Sequence, residues 1–160
     1  MSTMPLSRAS LKLDLAAEVL RRGGTVRLRA WGASMLPSIW PGDRLTIESA
    51  NLEQVVPGDI VVILQESRFI IHRFVRMEEH SDRATCLTRG DAVPHDDPST
   101  SASALLGRVT SICRAKRTFS PSRQVSSIAR VFAWLFCHWD RFRSVYLRAH
   151  AFFYGLDQEA

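Results

Sequence analysis

Between residues 25 and 112 the chain alternates apolar and polar positions or runs apolar in short bursts. Clusters of turn-forming residues separate them. TVRLRA (25–30) and DRLTIE (43–48) place apolar side chains at every second position, the period of a half-buried strand. DIVVIL (59–64) follows a Pro-Gly-Asp turn as an unbroken apolar run, the mark of a strand buried on both faces. RFIIHRFV (68–75), ATCLTR (84–89) and LLGRVTSI (105–112) bring the predicted strands to about six. No helical segment separates them. The pattern therefore predicts a mostly β (α+β) fold, an antiparallel folded sheet or barrel rather than βαβ units, with helices at both ends.

The period changes at the two ends. Residues from Ser10 to Arg22 are predicted as a helix, with Ser10 as N-cap and Leu15, Ala16, Val19 and Leu20 as its apolar stripe. Gly23-Gly24 ends it. Residues 90–103 (GDAVPHDDPSTSAS) form a loop too polar for a core, and 118–127 reads as a linker. From 128 to 154, apolar residues recur with a helical period. The expected organisation is an N-terminal helix (1–23), a β domain (24–113), a basic linker (114–127) and an amphipathic helix (128–154).

Charge sharpens this division. Lys plus Arg is 21 against 16 acidic residues, a net charge of +5. From Arg114 onward eight basic residues face only Asp140, Asp157 and Glu159, so the excess belongs to the last third. Nine of the fourteen aromatics lie in 128–154 as well. Two readings of that segment stand open: an element lying on an anionic membrane surface, or a helix docked on the β domain or a second copy. No nucleic-acid partner is expected, because the aromatics follow helical core spacing and no recognition motif accompanies the basic residues. Lys12, Asp14 and Glu18 interrupt any leader-like apolar run, and no stretch reaches the length of a membrane span. Cys86, Cys113 and Cys137 form no CxxC pair, and the five histidines show no metal-ligand spacing, so neither metal nor cofactor is expected. The cysteine usage fits a reducing compartment, and the expected location is cytoplasmic, peripheral at a membrane surface if 128–154 binds lipid.

Three features carry candidate chemistry. Ser34 follows a Gly-Ala turn in WGASMLPSIWPGD (31–43), His72 lies within a strand, and Asp91 and Asp97 occupy the polar loop. A nucleophile, a base and a carboxylate to orient the base are thus all present, although spacing alone does not bring them together. Singly, each has a structural reading too: a turn serine, a core histidine beside Ile70 and Phe74, and turn-making aspartates.

GASMLPSIWPGD, PGDIVVIL, IIHRFV and LTRGDAVPHDDP, in that order, resemble the successive signature boxes of type I signal peptidases. These belong to a serine-peptidase superfamily that also contains the self-cleaving SOS repressors. The resemblance spans roughly residues 24–112. His72-Arg73 resembles the archaeal and endoplasmic-reticulum type, which carries a histidine base where the bacterial type has lysine. The resemblance implies Ser34 as nucleophile, His72 as general base, and Asp91 and Asp97 as the groups that orient the imidazole. It further implies that Gly32, Met35 and Pro37 shape the substrate-binding turn. Substrates would be extended segments of a peptide or precursor protein laid against a strand edge, with small side chains before the cut. A regulatory or binding module that keeps the fold without turnover, or cleaves only itself, is the alternative.

Overall fold

The computed structural model describes residues 8–80 and 83–124. One helix, α1 (Arg8–Arg21), precedes eight strands: β1 (Thr25–Arg29), β2 (Arg44–Ser49), β3 (Ile60–Gln65), β4 (Arg68–His80), β5 (Arg83–Arg89), β6 (Thr100–Ser101), β7 (Leu105–Arg114) and β8 (Arg117–Phe119). They form one sheet in the order β1-β2-β7-β3-β4-β5-β6, with β8 added beside β7. Every pairing is antiparallel. The mostly β, antiparallel fold expected from the pattern is the one observed, a curled half-barrel. Register shifts at Thr46/Ile47, Val62/Ile63 and Phe74/Arg76 interrupt three of the ladders. Such bulges bend strands and let a sheet curl.

β3 shows why an unbroken apolar run can sit in an antiparallel sheet. Ile60 and Val62 point into one core with Leu45, Ile47, Leu106 and Leu20 of α1. Val61 and Ile63 point into a second core with Phe74, Cys86 and Leu105. Both faces of this central strand are therefore dry. Burial of an aliphatic side chain stabilises by roughly 1.5–3 kcal/mol, so this strand anchors both cores.

Four expectations need correction. The helix already includes Arg8, so Ser10 lies inside its first turn rather than capping it. Its buried residues are Ala17 and Leu20, whereas Leu15 and Val19 are exposed. Of the expected stripe only Leu20 is fully buried; it shares one helical face with Ala17, and both pack into the first core. β4 runs on to His80, well past residue 75, as a long polar hairpin with β5. Finally, the expected linker 114–127 is partly sheet. β7 extends to Arg114, and Arg117–Phe119 folds back on it through a turn with Ala115 and Lys116 at positive φ. The expected helix 128–154 lies outside the described residues.

Two Pro-Gly-Asp turns lead into β2 and β3. Gly42 and Gly58 both adopt positive φ, the conformation that the third position of such a turn demands. In each turn the aspartate carboxylate accepts the N–H of the residue three earlier, Trp40 to Asp43 and Val56 to Asp59. Arg114 then pairs with Asp43, and Arg123 with Asp59.

Candidate active site

Ser34 opens a turn between β1 and β2 that is clamped from three directions. Its carbonyl accepts the N–H of Ala92 at 2.8 Å. The Ser38 carbonyl accepts from Arg114, whose guanidinium also lies over the Trp40 ring. The Ser38 hydroxyl donates to Asp91. Leu36 and Trp40 are buried beneath the turn. A turn held this tightly keeps the Ser34 hydroxyl in one place.

His72 lies on β4, paired across the ladder with Val61. Its Nε2 is 2.9 Å from Ser34 Oγ and its Nδ1 is 2.6 Å from Asp97 Oδ2. A carboxylate only accepts, so Nδ1 carries a hydrogen, and in the ring form with a single hydrogen Nε2 is the acceptor for the serine hydroxyl. Thr88 Oγ1 also donates to Asp97 Oδ2, at 2.7 Å, and the Asp97 N–H bonds the Thr88 carbonyl. The loop 90–97 therefore delivers its carboxylate to the imidazole from the end of β5. The His72 side chain is 13% exposed and that of Asp97 24%, so the series is partly shielded yet reachable.

The two aspartates divide. Expected to share the imidazole, Asp91 instead turns to Arg73, accepting from Nε at 2.7 Å and from a second guanidinium nitrogen at 2.8 Å. Side chains alternate across a strand, so Arg73 points away from His72 and takes Asp91 with it. The same guanidinium donates to the carbonyls of Gly58, Ser122 and Arg123. Asp91 thus ties the loop and the Ser34 turn, through Ser38, to β4.

A cavity of about 550 Å³ lies beside Ser34 and His72. α1 contributes Leu13 and Ala16 to its wall, β1 contributes Leu28, and β4 contributes Phe69 to Ile71. Gly32 and Met35 of the predicted substrate-binding set line it too. Pro37 does not; its carbonyl accepts the Trp40 indole N–H instead. Two strand edges flank the cavity. β1 ends the sheet, and β5 pairs with β4 only from Arg73 onward, so Arg68–His72 has no strand on its outer side among the described residues. The Ser34 N–H makes no hydrogen bond among the described residues and remains a donor at the turn.

Sequence reasoning missed Thr88, Ser38 and Gly90. A Cβ on Gly90 would stand 2.7 Å from the Ser34 carbonyl and 3.2 Å from His72 Nε2. Only glycine lets the loop pass so close to both groups. The Gly-Asp pair was the one local signal, but it reads as an ordinary turn. Among the described residues no group of His, Cys, Asp and Glu converges as a metal site would need.

A curled antiparallel sheet carrying a serine hydroxyl, an imidazole and a carboxylate in series defines a protein of the serine-peptidase-like class. A family model described as Peptidase S24-like matches residues 3–83, just over half of the chain, and includes Ser34 and His72. The chain belongs to the peptidase S24-like family. A search of curated proteins finds no match.

Proposed function

We propose that this protein is a serine endopeptidase of the Ser-His type, related to archaeal and endoplasmic-reticulum signal peptidases, acting on an extended segment of a peptide or precursor protein. One observation carries the reading: Ser34 Oγ, His72 and Asp97 stand in series at 2.9 and 2.6 Å beside a largely apolar cavity flanked by two strand edges that are unpaired among the described residues. A substrate strand added to either edge gains main-chain hydrogen bonds, while the cavity takes its side chains.

In this mechanism His72 Nε2 removes the Ser34 proton as Oγ attacks the scissile carbonyl. The resulting oxyanion is met by the Ser34 N–H, a contact worth roughly 3 kcal/mol. Gly32 stands where some relatives place a second serine donor, so backbone supplies this stabilisation. Asp97 holds the ring in the accepting tautomer and stabilises the imidazolium. The ring then protonates the leaving amine, and water, activated by the same base, hydrolyses the acyl-serine ester. Asp91 is a positioning group in this scheme.

The test is cleavage of a peptide library by the purified protein, with Ser34→Ala as control. Ser34-dependent cuts are expected. Loss of the full-length chain on incubation, with no peptide cut, would instead identify a self-cleaving regulator. Neither event would leave a module without turnover.

A further inference from the structure

Apart from Ser34 and His72, the lining of the cavity beside Ser34 is apolar except for charge of one sign. Lys12 of α1 and Arg29 of β1 line it, and among the described residues no aspartate or glutamate does. Neither cation makes an ion pair or hydrogen bond with the described residues. The Arg29 guanidinium lies over the Trp31 ring, 5.6 Å from its centroid, which fixes it near the Ser34 turn and leaves its N–H groups available. Across the ladder Arg29 sits directly opposite Arg44, and both are exposed. Like charges facing each other on adjacent strands destabilise the pair. Arg27, two residues along the same face, is exposed as well. By contrast, other arginines around the site, Arg73, Arg114 and Arg123, are neutralised by aspartates.

We propose that Lys12 and Arg29 are specificity determinants, and that the groove takes an extended peptide bearing an acidic side chain next to its apolar residues. This rests on the peptidase reading of the same site. An apolar wall lowers the local dielectric, so a carboxylate placed against these cations gains more than it would on an open surface. Arg29 offers the planar fork that binds a carboxylate through two parallel hydrogen bonds. A peptide fits better than a lipid surface because the two cations line the concave cavity that also holds Ser34 and His72, whereas a bilayer meets convex patches. Trp31, 82% exposed at the rim, then packs on an apolar peptide side chain next to the acidic one.

The experiment uses labelled Ala/Leu decapeptides in which Glu, Gln or Lys is scanned through each position. Their binding to the Ser34→Ala protein is measured by fluorescence anisotropy at low salt. In at least one register the Glu peptide should bind about tenfold tighter than its Gln counterpart, the scale of one charge-assisted contact. Lys12→Gln/Arg29→Gln should abolish the preference, and Lys12→Glu/Arg29→Glu should transfer it to the Lys peptide. Both positions are exposed, and circular dichroism checks that the variants fold. Equal binding of Glu and Gln peptides overturns the proposal, as does a preference that survives in the Gln variant. Loss of the protein's binding to phosphatidylserine vesicles in the Gln variant, without any peptide preference, overturns it in favour of a lipid contact. Cutting of the same peptides by the unmodified protein is a separate readout. A groove that selects acidic peptides but never cuts them refutes the peptidase reading alone.

Discussion

His72 and Arg73 are neighbours on one strand, and each meets an aspartate from the same loop. On the His72 side the partner is Asp97, a quarter exposed, bonded besides to one threonine hydroxyl, with the groove opening alongside. On the Arg73 side Asp91 is 3% exposed and receives a two-point guanidinium contact and a serine hydroxyl, while the arginine also gathers three main-chain carbonyls. Similar groups thus serve opposite ends. A sparse, half-open network suits the proton transfer proposed for it. A dense, buried one resists any change, because removing either partner leaves an uncompensated charge. Strand alternation decides which aspartate does which.

The largest expected effect is on the His72 side. Ser34→Ala and His72→Ala should each lower kcat/KM for a cleaved peptide by at least about a thousandfold, and the double variant should be no worse than either. Urea midpoints should hardly move. Losses that simply multiply would show that the serine and imidazole do not act as a unit.

The next effect separates the two carboxylates. Asp97→Asn should cost up to about 10⁴-fold in kcat, because an amide can donate to Nδ1 and favour the tautomer that cannot accept the Ser34 proton. Asp91→Asn should lower kcat far less at temperatures where it is folded. Equal kcat losses in the two variants, at matched stability, would erase the distinction between the faces.

On the Arg73 side the readout is stability. Asp91→Ala should lower the unfolding free energy by about 3–5 kcal/mol, measured by urea denaturation, since Arg73 is left buried and unpaired. Replacing the pair together, as Arg73→Met/Asp91→Leu, should recover much of that loss. A double variant as unstable as Asp91→Ala would mean that the carbonyl contacts of Arg73, and not its charge pairing, hold the structure.

The smallest effect belongs to neither face. Cys86 is fully buried in the second core beside Phe74, and burial pushes its thiol pKa above the ordinary value. The folded state therefore keeps a proton that the unfolded state releases once pH passes about 8.5, so folding stability falls as pH rises beyond that point. Cys86→Ala should show a flatter alkaline decline in urea midpoint than the parent chain. An identical pH slope in both would assign the decline to other groups.

Where a local period suffices, the chain was legible without its structure. β3 stood out because five consecutive aliphatics leave no polar face, and the two cores they enter explain the run. β8 was not legible: its hairpin uses Ala115 and Lys116 at positive φ, where glycine or asparagine would have announced a turn. The two-residue β6 is polar and carries no pattern of its own. In the site, Ser34 and His72 stood out as a turn serine and a strand histidine, and the structure puts them within hydrogen-bonding reach. Thr88 and Ser38 could not stand out, because a hydroxyl in a strand or turn is commonplace until its partner is known.

The sequence by itself determined the antiparallel β character, the two Pro-Gly-Asp turns, and which residue types could furnish a nucleophile, a base and an acid. These follow from periodicity and backbone preference, which act over a few residues. Only the tertiary structure decided that Asp97 takes the imidazole and Asp91 the guanidinium. Only it decided that Gly90 must be bare to let the loop pass close against Ser34 and His72, and that Lys12 and Arg29, from different elements, meet at one groove. The physical reason is geometric. A loop's path, and the distance between side chains dozens of residues apart, are set by how the whole sheet curls and packs, which no local pattern encodes.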